Sequence, residues 1–169
     1  MKGLNLKDFE SFGEVSFIEK LTRVDHIYLG GKIENKSQVS LLKEKGVAMA
    51  IDLKENKETS ISDREYFEDL GIEYFNFPIE KVENFDFDLL FEISKILERK
   101  NNIFIYCYSG NRAVLFMALQ LFFVGGHSRE RILNFASKMG ISEGLKEKLK
   151  KIILQHNSHQ NLGCILVFL

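Results

Sequence analysis

The chain has 169 residues, 45% of them hydrophobic, with a formal net charge of -1. That length allows one domain with a real core, and the charge balance offers no global field for nucleic acid or an anionic membrane, so neither is an expected partner. Two cysteines, Cys107 and Cys164, make no disulfide framework and fit a reduced, cytoplasmic setting. No apolar signal-peptide core opens the chain, and its longest apolar run, Ala113 to Val124, contains Gln120 and is too short to span a bilayer.

Residues 1–23 read as an N-terminal arm, a short helix or an extended segment anchored by Leu6, Phe9, Phe12 and Phe17. His26 to Leu29 is a short strand stopped by Gly30-Gly31. Ser37 is the expected N-cap of a helix through Lys45, with Val39, Leu41 and Leu42 inward and Gly46 as its stop. Val47 to Leu53 is a nearly continuous apolar run, the pattern of a strand buried on both faces. Lys54 to Ser60 is a polar loop. Ser62-Asp63-Arg64-Glu65 fits a capping box, opening a helix that runs to Leu70 and ends at Gly71. Ile72 to Phe77 is another strand, closed by Pro78, and Glu80 to Asp86 an acidic loop. A helix with the stripe Leu89, Leu90, Ile93 and Leu97 runs to Arg99. Ile103 to Tyr106 is a buried strand, and Ala113 to Val124 a helix broken by Gly125-Gly126. Ser128 caps a helix to about Met139, and Ser142 caps a last one through Leu154. The Phe-rich positions are expected in the core.

This alternation predicts an α/β, three-layer domain with a mostly parallel sheet over residues 24–155. Residues 156–169 form a tail with an apolar end, Cys164-Ile165-Leu166-Val167-Phe168-Leu169. Ligands of such sheets bind beyond the carboxyl ends of the strands, where Cys107 falls.

The loop from Cys107 to Arg112 carries the chemistry. A strand passing through a tight loop into a helix N-terminus leaves backbone N–H groups free for an anion, and the helix dipole favours negative charge there. The same donors stabilise a thiolate on Cys107. Arg112 adds a permanently charged fork for an oxyanion, and Gly110 allows positive φ or close approach. A lone cysteine is by default an inert core residue. The set Cys107, Tyr108, Ser109, Gly110, Asn111 and Arg112 reads instead as a nucleophile with its anion-binding loop. Asp52 has two readings, a buried partner for Arg112 or an outward cap. His26, His127, His156 and His159 lack metal-ligand spacing with the cysteines. The basic run Lys146, Lys148, Lys150 and Lys151 reads as a solvated face.

From about His26 to Leu154 the chain resembles the protein tyrosine and dual-specificity phosphatase superfamily, in particular the phosphatase-like domain of bacterial beta-lactamase-hydrolase-like proteins. The stretches that carry the likeness are Ile27-Tyr28-Leu29-Gly30-Gly31, Leu42-Lys43-Glu44-Lys45-Gly46-Val47, Ala50-Ile51-Asp52-Leu53 and Gly71-Ile72-Glu73-Tyr74-Phe75-Asn76-Phe77-Pro78, followed by Cys107 to Arg112 where that family has its catalytic loop. The resemblance implies a four- to five-stranded sheet flanked by helices, a cysteinyl-phosphate intermediate, and neither a metal nor another cofactor. It also implies a general acid on a loop upstream of the cysteine; Glu80 is the first candidate, then Glu83 and Asp86.

The departures are specific. The family usually has His before the cysteine, five residues between Cys and Arg, and Ser or Thr after Arg. This chain has Tyr106, four intervening residues and Ala113. The shorter loop is similar to that of rhodanese sulfurtransferases, and a tighter cradle suits a smaller target such as a persulfide sulfur. Because the likeness spans the whole domain, the expected function is a cysteine-dependent phosphatase acting on phosphoesters, although the loop alone points the other way. The alternatives are a sulfurtransferase carrying a persulfide on Cys107, with Cys164 as a possible resolving thiol, or a non-catalytic anion-binding module. In each case the partner is an anion, phosphorylated or sulfur-donating.

Overall fold

In the computed structural model, residues 9–11, 18–59, 61–80, 87–99 and 101–160 are described. Their elements run β1 (Phe9–Ser11), β2 (Thr22–Val24), β3 (Ile27–Gly30), α1 (Lys36–Glu44), β4 (Val47–Asp52), α2 (Ile61–Glu68), β5 (Glu73–Asn76), α3 (Phe87–Leu97), β6 (Asn102–Tyr106), α4 (Asn111–Phe123), α5 (Arg129–Lys138) and α6 (Glu143–Gln160). The strands form one sheet in the order β1-β2-β3-β6-β4-β5. β3, β6, β4 and β5 pair in parallel, while β2 and β1 extend the β3 edge in antiparallel fashion. This is the expected α/β arrangement, a mostly parallel sheet flanked by helices. Where it is described, the N-terminal arm contributes strand rather than helix. Among the described residues no helix is long and apolar enough to cross a membrane.

Each face of the sheet has its own core. On one side Val39 and Leu42 of α1 and Phe67 of α2 pack on Tyr28, Ala50, Phe104 and Tyr106. On the other, α3 to α6 cover Leu29, Met49, Ile51, Ile103, Ile105 and Cys107. Successive side chains of a strand point to opposite faces, so β6 sends Ile103, Ile105 and then Cys107 toward α4, and Phe104 and Tyr106 toward α1 and α2. All five residues from Ile103 to Cys107 are fully buried. Most described phenylalanines are at least partly buried, as expected; Phe91 is the clearest exception, 51% exposed on α3.

Several local expectations change. The N-cap of α1 is Asn35, not Ser37: its side chain accepts from Gln38 N at 3.2 Å. Gln38 Oε1 in turn accepts from Glu34 N at 2.7 Å. Asn35 and Gln38 have capping-box spacing, and Ser37 only donates its hydroxyl to Asn35 Oδ1. α2 begins at Ile61, so Ser62 lies inside the helix rather than capping it, and Asp63 turns into the protein, 3% exposed. α6 continues past Leu154 to Gln160. Ser128 does cap α5, accepting from Arg131 N.

Replacing Asn35 by Ala is expected to lower stability by about 1 kcal/mol, and Ser37→Ala by clearly less. Urea denaturation of the two variants measures the difference; equal losses would return the cap to Ser37.

Candidate active site

Strand pairing delivers Cys107 to the mouth of the sheet. Leu53 N donates to Tyr106 O at 2.8 Å and Cys107 N donates to Gly30 O at 3.3 Å, so the chains leaving β4 and β3 hold the step from strand to loop. Lys32 N donates to Tyr108 O at 3.1 Å. The loop then lies on Gly30-Gly31. At Gly110, φ is +78°, and a Cβ there would sit 3.3 Å from the Gly30 carbonyl carbon and 3.4 Å from Gly31 N. Glycine is thus favoured by its left-handed conformation, and the tight space adds to the preference. Val114 N donates to Gly110 O at 3.1 Å as the first turn of α4. The N–H groups of residues 111–113 precede that bond and have no partner within the helix.

The other loop residues divide between braces and rim. Asn111 Nδ2 donates to Ser109 Oγ at 3.1 Å, while Asn111 Oδ1 accepts from Lys20 Nζ at 2.9 Å and from Ser142 N at 3.3 Å. Asn111 therefore ties the loop to the N-terminal segment and to the start of α6. Tyr108 stands at the rim, 52% exposed, with Lys32 Nζ 5.2 Å from its ring centroid.

Arg112 leaves the first turn of α4 and is fixed by groups from two other loops. Its Nη1 donates to Ile79 O at 3.2 Å, its Nη2 to Glu58 Oε2 at 2.5 Å, and Glu55 Oε1 lies 3.9 Å from Nη1. Burial opposes the charge of Arg112, but the Glu58 hydrogen bond and the neighbouring Cys107 sulfur outweigh it and hold the guanidinium more firmly protonated than usual. Burial likewise pushes the Glu58 carboxyl up. The hydrogen bonds from Arg112 and from Glu55 N outweigh that burial and leave it below the ordinary glutamate range. Cys107, Arg112 and the intervening loop are thus together, as their spacing in the sequence suggested.

Glu80 sits next to this group rather than in it. The carbonyl of the preceding Ile79 accepts from Arg112, while the Glu80 side chain is exposed and favours the charged form of Lys57 across the loop. Glu83, Asp86 and Cys164 lie outside the described residues. Glu55 and Glu58 fall in a stretch that reads as solvated loop, and sequence reasoning passed over them. The available signal was their i, i+3 spacing just beyond a buried strand. Asp52 is buried, but its partners are Lys54, Tyr74 and Tyr106 instead of Arg112.

No family model matches the chain, and no curated protein matches it. Solved structures do. The DUF442 protein of Shewanella putrefaciens CN-32 superposes with a TM-score of 0.68 at 17% identity, covering 89% of this chain and 96% of that one. P. aeruginosa TpbA, solved as a cysteine-to-serine variant in complex with pTyr, gives 0.64 at 16% identity over 83% of this chain and 90% of that one. Kinase associated phosphatase, with its catalytic cysteine substituted by serine, gives 0.61 at 16% identity over 75% and 84%. The chain has the protein tyrosine/dual-specificity phosphatase-like fold.

The Glu58–Arg112 pair sets an acid limit. Glu58 has a folded-state pKa below its ordinary value of 4.5. Between the two values the unfolded chain binds more protons, so this contribution to stability is present above about 4.5 and lost as pH falls through the folded value. In Glu58→Gln this part of the acid loss should disappear, as read by thermal melts across acidic pH. A parent and variant that lose stability in parallel would mean the pair holds no such energy.

Proposed function

We propose that the chain is a cysteine-dependent hydrolase of phosphoesters, of the protein tyrosine/dual-specificity phosphatase type. The observation that carries this reading is that Cys107 directly follows β6 and Arg112 stands in the first turn of α4, so one short loop folded over Gly30-Gly31 joins a thiol to a guanidinium whose charge the Cys107 sulfur favours. The fold shared with kinase associated phosphatase supports it, as does the pTyr complex of TpbA, which makes an aryl phosphate the first substrate to try.

In this mechanism the thiolate of Cys107 attacks phosphorus in line. The bond from phosphorus to the ester oxygen breaks as the sulfur–phosphorus bond forms, and the leaving oxygen takes a proton, for which Glu80 is the candidate donor. Water then attacks the cysteinyl-phosphate, releasing inorganic phosphate and restoring the thiolate. Arg112 and the N–H groups at the start of α4 bind the equatorial oxygens, whose charge must be matched in the transition state. Tyr108, Ser109, Gly110 and Asn111 form the rest of the loop.

A second reading has one specific observation in its favour. Only four residues separate Cys107 from Arg112, and Ala113 follows, a narrow cradle that suits attack on the outer sulfur of an anion such as thiosulfate. Transfer there moves a sulfur atom onto Cys107 as a persulfide, with sulfite leaving, and adds about 32 Da to the protein.

Phosphate release from an aryl phosphate should vanish in Cys107→Ser and fall by about two orders of magnitude in Arg112→Lys, which keeps the charge but not the fork. Serine and parent proteins of equal activity would sink the phosphatase reading. A stable added sulfur on Cys107 after thiosulfate, with no phosphate release, would put the second reading in its place.

A further inference from the structure

Behind the strand that carries Cys107 lies a charge cluster for which the proposed reaction has no use. Asp52, Lys54 and Asp63 are 0%, 2% and 3% exposed. Lys54 Nζ donates to Asp63 Oδ2 and lies 3.7 Å from Asp52 Oδ2. Tyr74 Oη donates to Asp52 Oδ2 at 2.8 Å, and Lys54 N donates to Asp52 Oδ1 at 2.8 Å. Tyr106 Oη sits 3.1 Å from Asp52 Oδ2 and 3.0 Å from Asp63 Oδ2. A phenol has one proton to give, so Tyr106 satisfies one of the two carboxylates at a time.

The charges do not balance. Two carboxylates face one ammonium in a site closed to water, where an uncompensated charge is expensive. The other cation nearby, Arg64, stacks over the Tyr74 ring at 5.1 Å. With one carboxyl protonated the cluster is neutral; with both ionised it carries one negative charge. Burial is the main force raising the Asp52 carboxyl, with Asp63 adding to it and Lys54 and Tyr74 opposing it. Asp52 is therefore harder to ionise than a free aspartate. Its backbone pairs with Tyr106, the residue before Cys107, on the adjacent parallel strand, and neighbouring strands are about 4.8 Å apart. A charge on Asp52 thus lies one strand and one residue from the nucleophile, on the opposite face of the sheet.

We propose that Asp52 is a positioning residue for the Cys107 thiolate: ionisation of the buried Asp52–Lys54–Asp63 cluster places a negative charge behind the nucleophile, opposing the positive field of Arg112 and the α4 N-terminus in front. The residue acts through Tyr106 and the β6 backbone and touches no substrate. Tyr106, by resting its hydroxyl on both carboxylates, couples the cluster to the loop. The groups facing Asp52 are Lys54 from its own loop, Asp63 from α2, Tyr74 from β5 and Tyr106 from β6, with Arg64 beyond Tyr74.

This inference rests on Cys107 being the nucleophile, but its test does not need turnover. The thiolate is read by ultraviolet absorbance as a function of pH, with the Cys107→Ser protein subtracted to remove Cys164. In Asp52→Asn the cluster can no longer acquire its extra charge. At pH values where less than about a tenth of Cys107 is ionised, the thiolate fraction of the variant should exceed that of the parent on the order of tenfold once Asp52 has titrated, and match it at lower pH. Tyr74→Phe, a milder change at the sheet edge, removes a donor to the ionised carboxylate and should move that divergence to higher pH. Coincident thiolate curves for the parent and a folded variant, Asp52→Asn or, if that protein does not fold, Tyr74→Phe, would overturn the proposal. Phosphate release that is absent while the thiolate curves diverge would count against the phosphatase reading and leave this one standing.

Discussion

The period-two alternation at the end of β6 is the constraint on which both halves of the molecule depend. Tyr106 and Cys107 are consecutive, so they must face opposite layers. Tyr106 enters the core under α1 and α2 and meets a charge cluster; Cys107 enters the core under α4 and meets a helix N-terminus and an arginine. Neither side can shift without the other, because a one-residue slip would exchange the two side chains and bury a phenol against α4. The flanking parallel strands fix the register, with Leu53 N on Tyr106 O and Gly30 O on Cys107 N.

Arg112 illustrates how such a site is stabilised before any ligand arrives. A guanidinium cannot shed its charge by losing a proton, so half-burying it demands an anion nearby. Glu58 supplies one at 2.5 Å, and Ile79 O takes another donor at 3.2 Å. That arrangement leaves part of the five-donor fork for a ligand. It also sets two carboxylates, Glu55 and Glu58, beside the loop proposed to cradle an anion. The loop therefore trades some of its attraction for rigidity. A preorganised donor costs little at the moment of reaction, which is when electrostatic stabilisation counts.

Much of this was legible in the sequence, and for identifiable reasons. The apolar run of β4 and the alternation of strand and helix patterns carry their fold directly. The loop from Cys107 to Arg112 is local, so its members cannot be far apart, and the glycine within it marks the turn. What the sequence hid depends on contacts between distant segments. Glu58 lies 54 residues before Arg112 and looks like any charge in a polar loop. Lys54 opens a stretch that reads as a polar loop, yet it turns inward because Asp52 and Asp63 wait there. Asp63 is hidden for the same reason: in Ser62-Asp63-Arg64-Glu65 it fits a capping pattern, and only the tertiary fold gives it a buried cation. Asn35 was a nearer miss, since two good capping residues stand two positions apart and the choice between them turned on Gln38.

The shortness of the loop bears unequally on the two steps of the phosphoester hydrolysis proposed for it. Attack by the thiolate needs an in-line approach and charge matching on three equatorial oxygens. With four residues between Cys107 and Arg112 there are fewer backbone N–H groups to share that work, and more of it falls on Arg112 and the first turn of α4. The second step asks sulfur to leave phosphorus as a thiolate. In the family pattern a hydroxyl after the arginine stabilises that departing charge, and here Ala113, fully buried, offers none. Neither does the phenol of Tyr106, which is committed to Asp52 and Asp63 on the far face. Stabilisation of the leaving thiolate is left to the α4 N-terminus and Arg112, the same groups that must hold the phosphoryl oxygens. A thiolate leaving sulfur in a persulfide makes no such double demand, because no phosphoryl group competes for those donors. The loop geometry and the missing hydroxyl thus weigh together toward a slow second step in phosphate chemistry, while the fold that presents the loop is that of the phosphatases.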